Sequence, residues 1–235
     1  MMKMVNEISN KSIVNKYVKL GNNVEIGPFC VIEGSEKNPV EIGNNVVIGS
    51  HCCISLGVKL NDNVMIANYV NLGSFIEVGK GSKIWHYCNI YGTEDKPTTI
   101  GENTQIGGYS TIKYACHIGN NCRFQSHIFV AEYVDMEDYV FVGPGVSFAV
   151  DKYPSAQVAL GRNWKLDAIL VKKNVVIGSE AIINPGVTLG VGSIIGTGAV
   201  VTKDTQDYGV YVGVPAKKVG MRSDKKYKDG FGMSA

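Results

Sequence analysis

The sequence has no long apolar run. Nothing in it approaches the roughly 18 consecutive apolar residues that a membrane-spanning helix requires, and the opening stretch MMKMVNEISNKS lacks the apolar segment of a secretory leader. The expectation is a cytoplasmic chain with no membrane partner. Strong charge of either sign is missing too. A formal net charge of +2, a pI near 8.1 and lysines scattered along the chain provide no basic stripe for nucleic acid. Small anionic ligands remain open. The six cysteines include no CxxC pair, so their spacing supports neither a zinc site nor a secreted disulfide framework. Histidine is sparse as well. His51, His86, His117 and His127 contain no His-x4-His pair, and no metal is expected.

What the sequence does have is apolar material, 45% of its residues, and 28 glycines, enough for one continuous core. The apolar residues recur by sixes. From Ile42 the step reaches Ile48, Ile54, Leu60, Ile66 and on to Ile90 without a miss. It runs again from Ile100 to Phe148, from Val171 to Val201 and, earlier, from Ile8 to Ile32. Four residues after each anchor stands a small or β-branched residue, as at Val46, Cys52, Ser110 and Ala199. A helix needs a period near 3.6 and a simple strand a period of 2, so a strict six calls for short strands joined by turns. Asparagine and glycine supply the turns. Taking every third hexad from Leu20, the fourth residue is Asn or Gly in eight of nine coils, from Asn23 to Gly192, with Tyr139 the exception. Those residues accept a left-handed backbone most cheaply.

This pattern, covering about residues 8 to 219, resembles the hexapeptide-repeat acyltransferases. The resemblance implies an all-β fold, a left-handed parallel β-helix of nine to ten triangular coils, stacked about 4.8 Å apart. It implies a catalytic domain over 1–219 with a protruding loop at 150–169, and a tail over 220–235 without apolar period.

The repeat is interrupted three times, between Ile32 and Ile42, Ile90 and Ile100, and Phe148 and Val171, always after a third hexad. All three breaks therefore leave from one corner, and the last is long enough to reach a neighbouring subunit or to be a surface insertion. Cys30, Cys52, Cys88, Cys116 and Cys122 fall on interior positions and read as core filler, with only Cys53 outward. Phe29, His51, Tyr69, Tyr87, Tyr109, His127 and Gly145 form an outward column. A ladder buried between subunits accounts for its lower part. His127 differs, because Gly143, Pro144 and Gly145 follow one coil above and leave a recess for a substrate.

Within the family, FQSHIFV at 124–130 and IWHYCNIYG at 84–92 are similar to the branch that acetylates amino groups of nucleotide-linked sugars, in which a Gln-Asn-Asn or Gln-Asn-His segment matches Gln125, Ser126 and His127. O-acetylating relatives carry a catalytic histidine before the proline at the arm's start, where this chain has Tyr153. The Pro-Arg of the amino-sugar branch is Pro154-Ser155 here. Chemistry points the same way, since an unprotonated amine attacks a thioester readily and a hydroxyl needs a well-placed base. The resemblance thus implies amine attack on acetyl-CoA in making surface polysaccharide, with His127 taking the amine proton or serving as an interface histidine. Gln125, Glu132, Asp151 and Tyr153 are candidates for the acceptor, the last three alternatively solvated loop polars. Trp85 and His86 either stack on a nucleotide base or pack against a subunit.

The ending IGTGAVVTKDTQDYGVYVGVPAKKVG resembles the terminal coil of CoA-dependent members. By that match Ser179, Thr197, Thr202, Lys203 and Lys217 bind the donor, with Lys217 or Lys218 meeting the 3′-phosphate. The rivals are an O-acyltransferase, a non-catalytic hexapeptide scaffold, and a γ-type carbonic anhydrase, whose His-x4-His pair is absent. The family implies a homotrimer with sites between subunits, and an exposed aromatic column needs such cover.

Overall fold

The computed structural model describes residues 6–149, 151–152, 155–156 and 167–224. Its strands are mostly two or three residues long and stack into three sheets of 12, 10 and 9 strands. One coil visits all three faces, as Gln105–Ile106, Thr111–Ile112 and His117–Ile118 do. Pairing is parallel from coil to coil. Ile48 lies beside Ile66 and Leu72 beside Ile90, so each anchor rests on the equivalent anchor of the next coil. The six-residue step fills the interior: Ile48, Ile54, Leu60, Ile66 and Leu72 are all 1% exposed or less. Nine coils have all three strands, and two partial coils complete the stack.

The corners show why the repeat tolerates so few residue types. All nine expected Asn, Gly and Tyr139 positions have φ between +52° and +70°. The asparagines also join one another, Asn23 Nδ2 donating to Asn45 Oδ1 at 3.0 Å and Asn45 Nδ2 to Asn63 Oδ1 at 3.2 Å. The first corner, between the 12- and 10-stranded faces, is left-handed as well. There Phe29, His51, Tyr69, Tyr87, Tyr109 and His127 hold φ of +57° to +62°, a cost of about 1–2 kcal/mol each for residues with a Cβ. Ring stacking offsets it, with successive centroids 4.7–5.0 Å apart.

The three interruptions do leave from one corner, the second, between the 10- and 9-stranded faces. The two shorter loops meet through Lys37 Nζ and Glu94 Oε1 at 2.9 Å. The five interior cysteines are buried and Cys53 is exposed. Cys52 Sγ donates to the Ala67 carbonyl at 2.9 Å and Cys116 Sγ to the Ala131 carbonyl at 3.1 Å.

The expected start of the tail at 220 falls inside a strand. Lys217–Met221 turns back antiparallel on Gly209–Val212, and Arg222 Nη1 donates to the carbonyls of Asn174 and Gly192. The 12-stranded face therefore ends on this short antiparallel strand.

Candidate functional site

The first corner is nearly smooth. Its leading position carries Gly27, Gly49 and Ala67 in the lower coils and Gly143, Gly178 and Gly196 in the upper ones, because a side chain there meets the backbone of the next coil. A Cβ on Gly143 would lie 2.6 Å from the Ser179 nitrogen. Beyond Ser9 in the first coil, two residues break the rule. Trp85 and Gln125 project at this position with Gly107 between them, and the resulting cleft of about 360 Å³ is lined further by His86, Gly108 and Ser126. His86 Nδ1 accepts the Asn68 backbone N–H at 3.2 Å, so the neutral ring carries its proton on Nε2 and presents it as a donor.

His127 follows Gln125 and Ser126 at the top of the aromatic column. Its ring is exposed and stacks on Tyr109, centroids 5.0 Å apart and planes within 4°. Its backbone N–H is held by the Gly108 carbonyl at 3.0 Å. One face of the imidazole is thus fixed, and the other looks up the column toward Gly145. The expected recess is not open at that glycine. A Cβ on Gly145 would fall on the carboxyl of Glu180, 2.7 Å from Oε2 and nearer to the other oxygen. Glu180, one coil higher and itself left-handed at φ +57°, reaches down because glycine leaves the space. Among the described residues it is the only carboxylate in the column, and continuing the column past Gly145 in the sequence would have found it.

The remaining candidates divide between corners. Ser179 and Thr197 stand on the first corner, two and three coils above His127, joined through the Gly198 N–H and the Ser179 carbonyl at 2.8 Å. A Cβ on Gly198 would meet nothing within 4 Å. Lys217 is exposed on the last strand, while Lys218 Nζ is engaged by Gln206 Oε1 at 2.7 Å. Glu132, Asp151, Thr202 and Lys203 lie instead on the second corner. Glu132 sits with Tyr114, Tyr133 and Lys96, whose ammonium lies over both rings. Burial first, and the Glu132 charge second, push the Tyr114 hydroxyl above its ordinary value. Thr202 and Lys203 line a polar pocket of about 550 Å³ with Lys152, Asp167 and Asp204 at the base of the long arm, where Lys152 and Asp167 are 3.9 Å apart. Tyr153 lies outside the described residues. Within one protomer the 10-stranded face therefore separates His127 from the second-corner group.

Residues 97–127 match the family described as bacterial transferase hexapeptide (six repeats). Residues 39–72 and 170–203 match the hexapeptide repeat of succinyl-transferase. A galactoside O-acetyltransferase from Escherichia coli is 33% identical over 54% of the chain, which spans 65% of that protein, just under two thirds. A chloramphenicol acetyltransferase from Agrobacterium fabrum is 30% identical over 72% of the chain and 74% of its own length. A dTDP-4-amino-4,6-dideoxy-D-glucose acyltransferase from Escherichia coli is 28% identical over 64% of the chain and 84% of its own. Among solved structures, LpxA from Acinetobacter baumannii superposes with a TM-score of 0.68 over 97% of the chain and 78% of its own, at 18% identity. At that identity the likeness carries the fold alone, a left-handed parallel β-helix.

Proposed function

This chain belongs to the hexapeptide-repeat acyltransferase family, and from that premise we propose that it acetylates the amino group of a nucleotide-linked amino sugar with acetyl-CoA as donor. The observation that carries the proposal is the axial order of one corner. Trp85, His86 and Gln125 lie at or below His127, and Ser179, Thr197 and Lys217 lie above it, so acceptor and donor approach the imidazole from opposite ends. In the reaction the amine nitrogen attacks the thioester carbonyl, the C–S bond breaks, and CoA leaves as its thiol. His127 takes the proton that the nitrogen loses and hands it to the departing sulfur. The Glu180 carboxylate attracts the acceptor's ammonium, which gives up one proton to solvent before the free amine attacks, and alignment of the two reactants supplies much of the acceleration.

The name of the dTDP-amino-sugar relative supports this acceptor class. The galactoside relative supports the second reading, acetyl transfer to a hydroxyl, which makes heavier demands on a base. The second-corner residues Glu132, Asp151, Thr202 and Lys203, and with them Tyr153 as their neighbour in sequence, join the site in a homotrimer, where packed prisms bring the second corner of one protomer toward the first corner of the next. The exposed faces of Phe29 and Tyr109 favour such packing. A thiol-release assay with acetyl-CoA against 3-amino and 4-amino nucleotide sugars, with matched hydroxyl compounds as controls, tests the proposal. Release with the amines supports it, and release with the hydroxyl compounds alone sinks it.

A further inference from the structure

We infer that the gap over Gly107, between Trp85 and Gln125, is a slot for the nucleobase of the acceptor, an assignment that rests on the acyltransferase reading above. The corner position is glycine or alanine in the neighbouring coils, so an indole and an amide there serve something other than the coil's own packing. Trp85 is 39% exposed. Gly107 cannot carry a side chain, since a Cβ on it would run into the Gln125 backbone, and the gap is therefore permanent. Trp85 and Gln125 are two coils apart, about 9.6 Å at the usual strand spacing, which admits a flat ring on the indole face with the amide above it.

The slot's polar groups are unspent. Among the described residues no hydrogen bond engages the side chains of Gln105, Gln125 or Ser126, or the indole N–H, and His86 offers Nε2–H for the reason given above. Donors and acceptors around an apolar plane suit the polar edge of a heteroaromatic ring. A second feature specifies the ligand's charge. The outward ladder of the 12-stranded face reads Glu7, Glu25, Val47, Met65, Lys83, Gln105, Arg123, Phe141, Val176 and Ile194. Of its two cations, Arg123 turns its guanidinium to the Asn103 and Cys122 carbonyls, away from the slot, and Lys83, beside Gln105, is left to meet an anionic group. A flat polar ring joined to anionic groups is a nucleotide.

Indole fluorescence tests the slot without substrate turnover. The chain has two tryptophans, so a Trp164→Phe protein leaves Trp85 as the reporter. Titration with UDP and with dTDP is expected to quench its emission saturably, and adenosine 3′,5′-bisphosphate, the nucleotide end of CoA, to leave it unchanged. In steady-state assays Trp85→Leu is expected to raise the acceptor KM about 10-fold or more, with Trp85→Phe in between and the acetyl-CoA KM unmoved. Absence of quenching by both pyrimidine nucleotides, or quenching by the bisphosphate alone, overturns the assignment. So does an acceptor KM untouched by Trp85→Leu. If that variant fails to fold, the titration decides by itself. Quenching by UDP or dTDP in a protein that releases no thiol would leave the slot standing and remove the acetyl-transfer reading.

Discussion

The Glu180 carboxyl occupies the space that a side chain at Gly145 would fill, and Gly145 lies one coil above His127 in the same column. The glycine is thus what lets a carboxylate hang over the imidazole. Glu180→Gln is expected to raise the acceptor KM about 10-fold while leaving the acetyl-CoA KM unchanged, because only the acceptor brings an ammonium. Gly145→Ala displaces the same carboxylate and also strains the backbone at φ +70°, costing about 1–2 kcal/mol. It is expected to reproduce the KM effect with a lowered melting temperature. A Gly145→Ala protein with the native KM would dissociate the glycine from the carboxylate's position.

Replacing the imidazole addresses the chemical step. His127→Asn keeps a residue that accepts φ +61° and loses the base, so kcat/KM for the amino acceptor is expected to fall by about 10²–10⁴ with the acetyl-CoA KM within about twofold. Tyr109, on which the ring stacks, is a positioning residue. Tyr109→Phe, which keeps the stack, is expected to retain activity, and Tyr109→Ala to lose part of it through kcat.

The six-residue step made the core legible because burial in a β-helix is strictly periodic: Ile42, Ile48 and Ile54 were interior by count, and Cys53 was outward by the same count. The left-handed corners were legible where Asn or Gly stood, and Tyr139 obeyed the period despite its side chain. The period says nothing about where a long exposed side chain points. Glu180 reaches down into a neighbour's gap, and its role could not be read from its hexad. Nor does a period along the chain report which corners meet in an assembly: the sequence offers Asp151 for the acceptor and Lys203 for the donor without showing that, within one protomer, a whole face lies between them and His127.

The asparagine ladder should be worth more than its backbone angle. Asn45 sits at φ +55°, accepts from Asn23 and donates to Asn63. Asn45→Gly keeps the angle cheap and loses only the two exposed bonds, while Asn45→Ala loses the bonds and adds about 1–2 kcal/mol of strain. In thermal melts the alanine variant is expected to fall further than the glycine variant. Equal losses would assign the whole contribution to the side-chain ladder.

The interior thiols set an alkaline limit on the fold. Burial pushes the Cys116 thiol up to about 12 and those of Cys88 and Cys122 to about 11, from 9.0. In the unfolded chain these groups ionise near their ordinary value, and in the native chain they must stay neutral. Their contribution is therefore whole below about pH 9 and is lost as pH rises from there toward 11–12, since the unfolded state binds fewer protons across that window. Denaturant midpoints measured from pH 8 to 11 are expected to fall, and Cys116→Ala, despite a lower midpoint at pH 8, to fall less steeply. At pH 8 a thiol reagent is expected to modify one cysteine per native chain, the exposed Cys53, with the other five reacting only after unfolding. Fast modification of several thiols in the native protein, or an alkaline slope unchanged by Cys116→Ala, would show that the interior opens to solvent more readily than its packing allows.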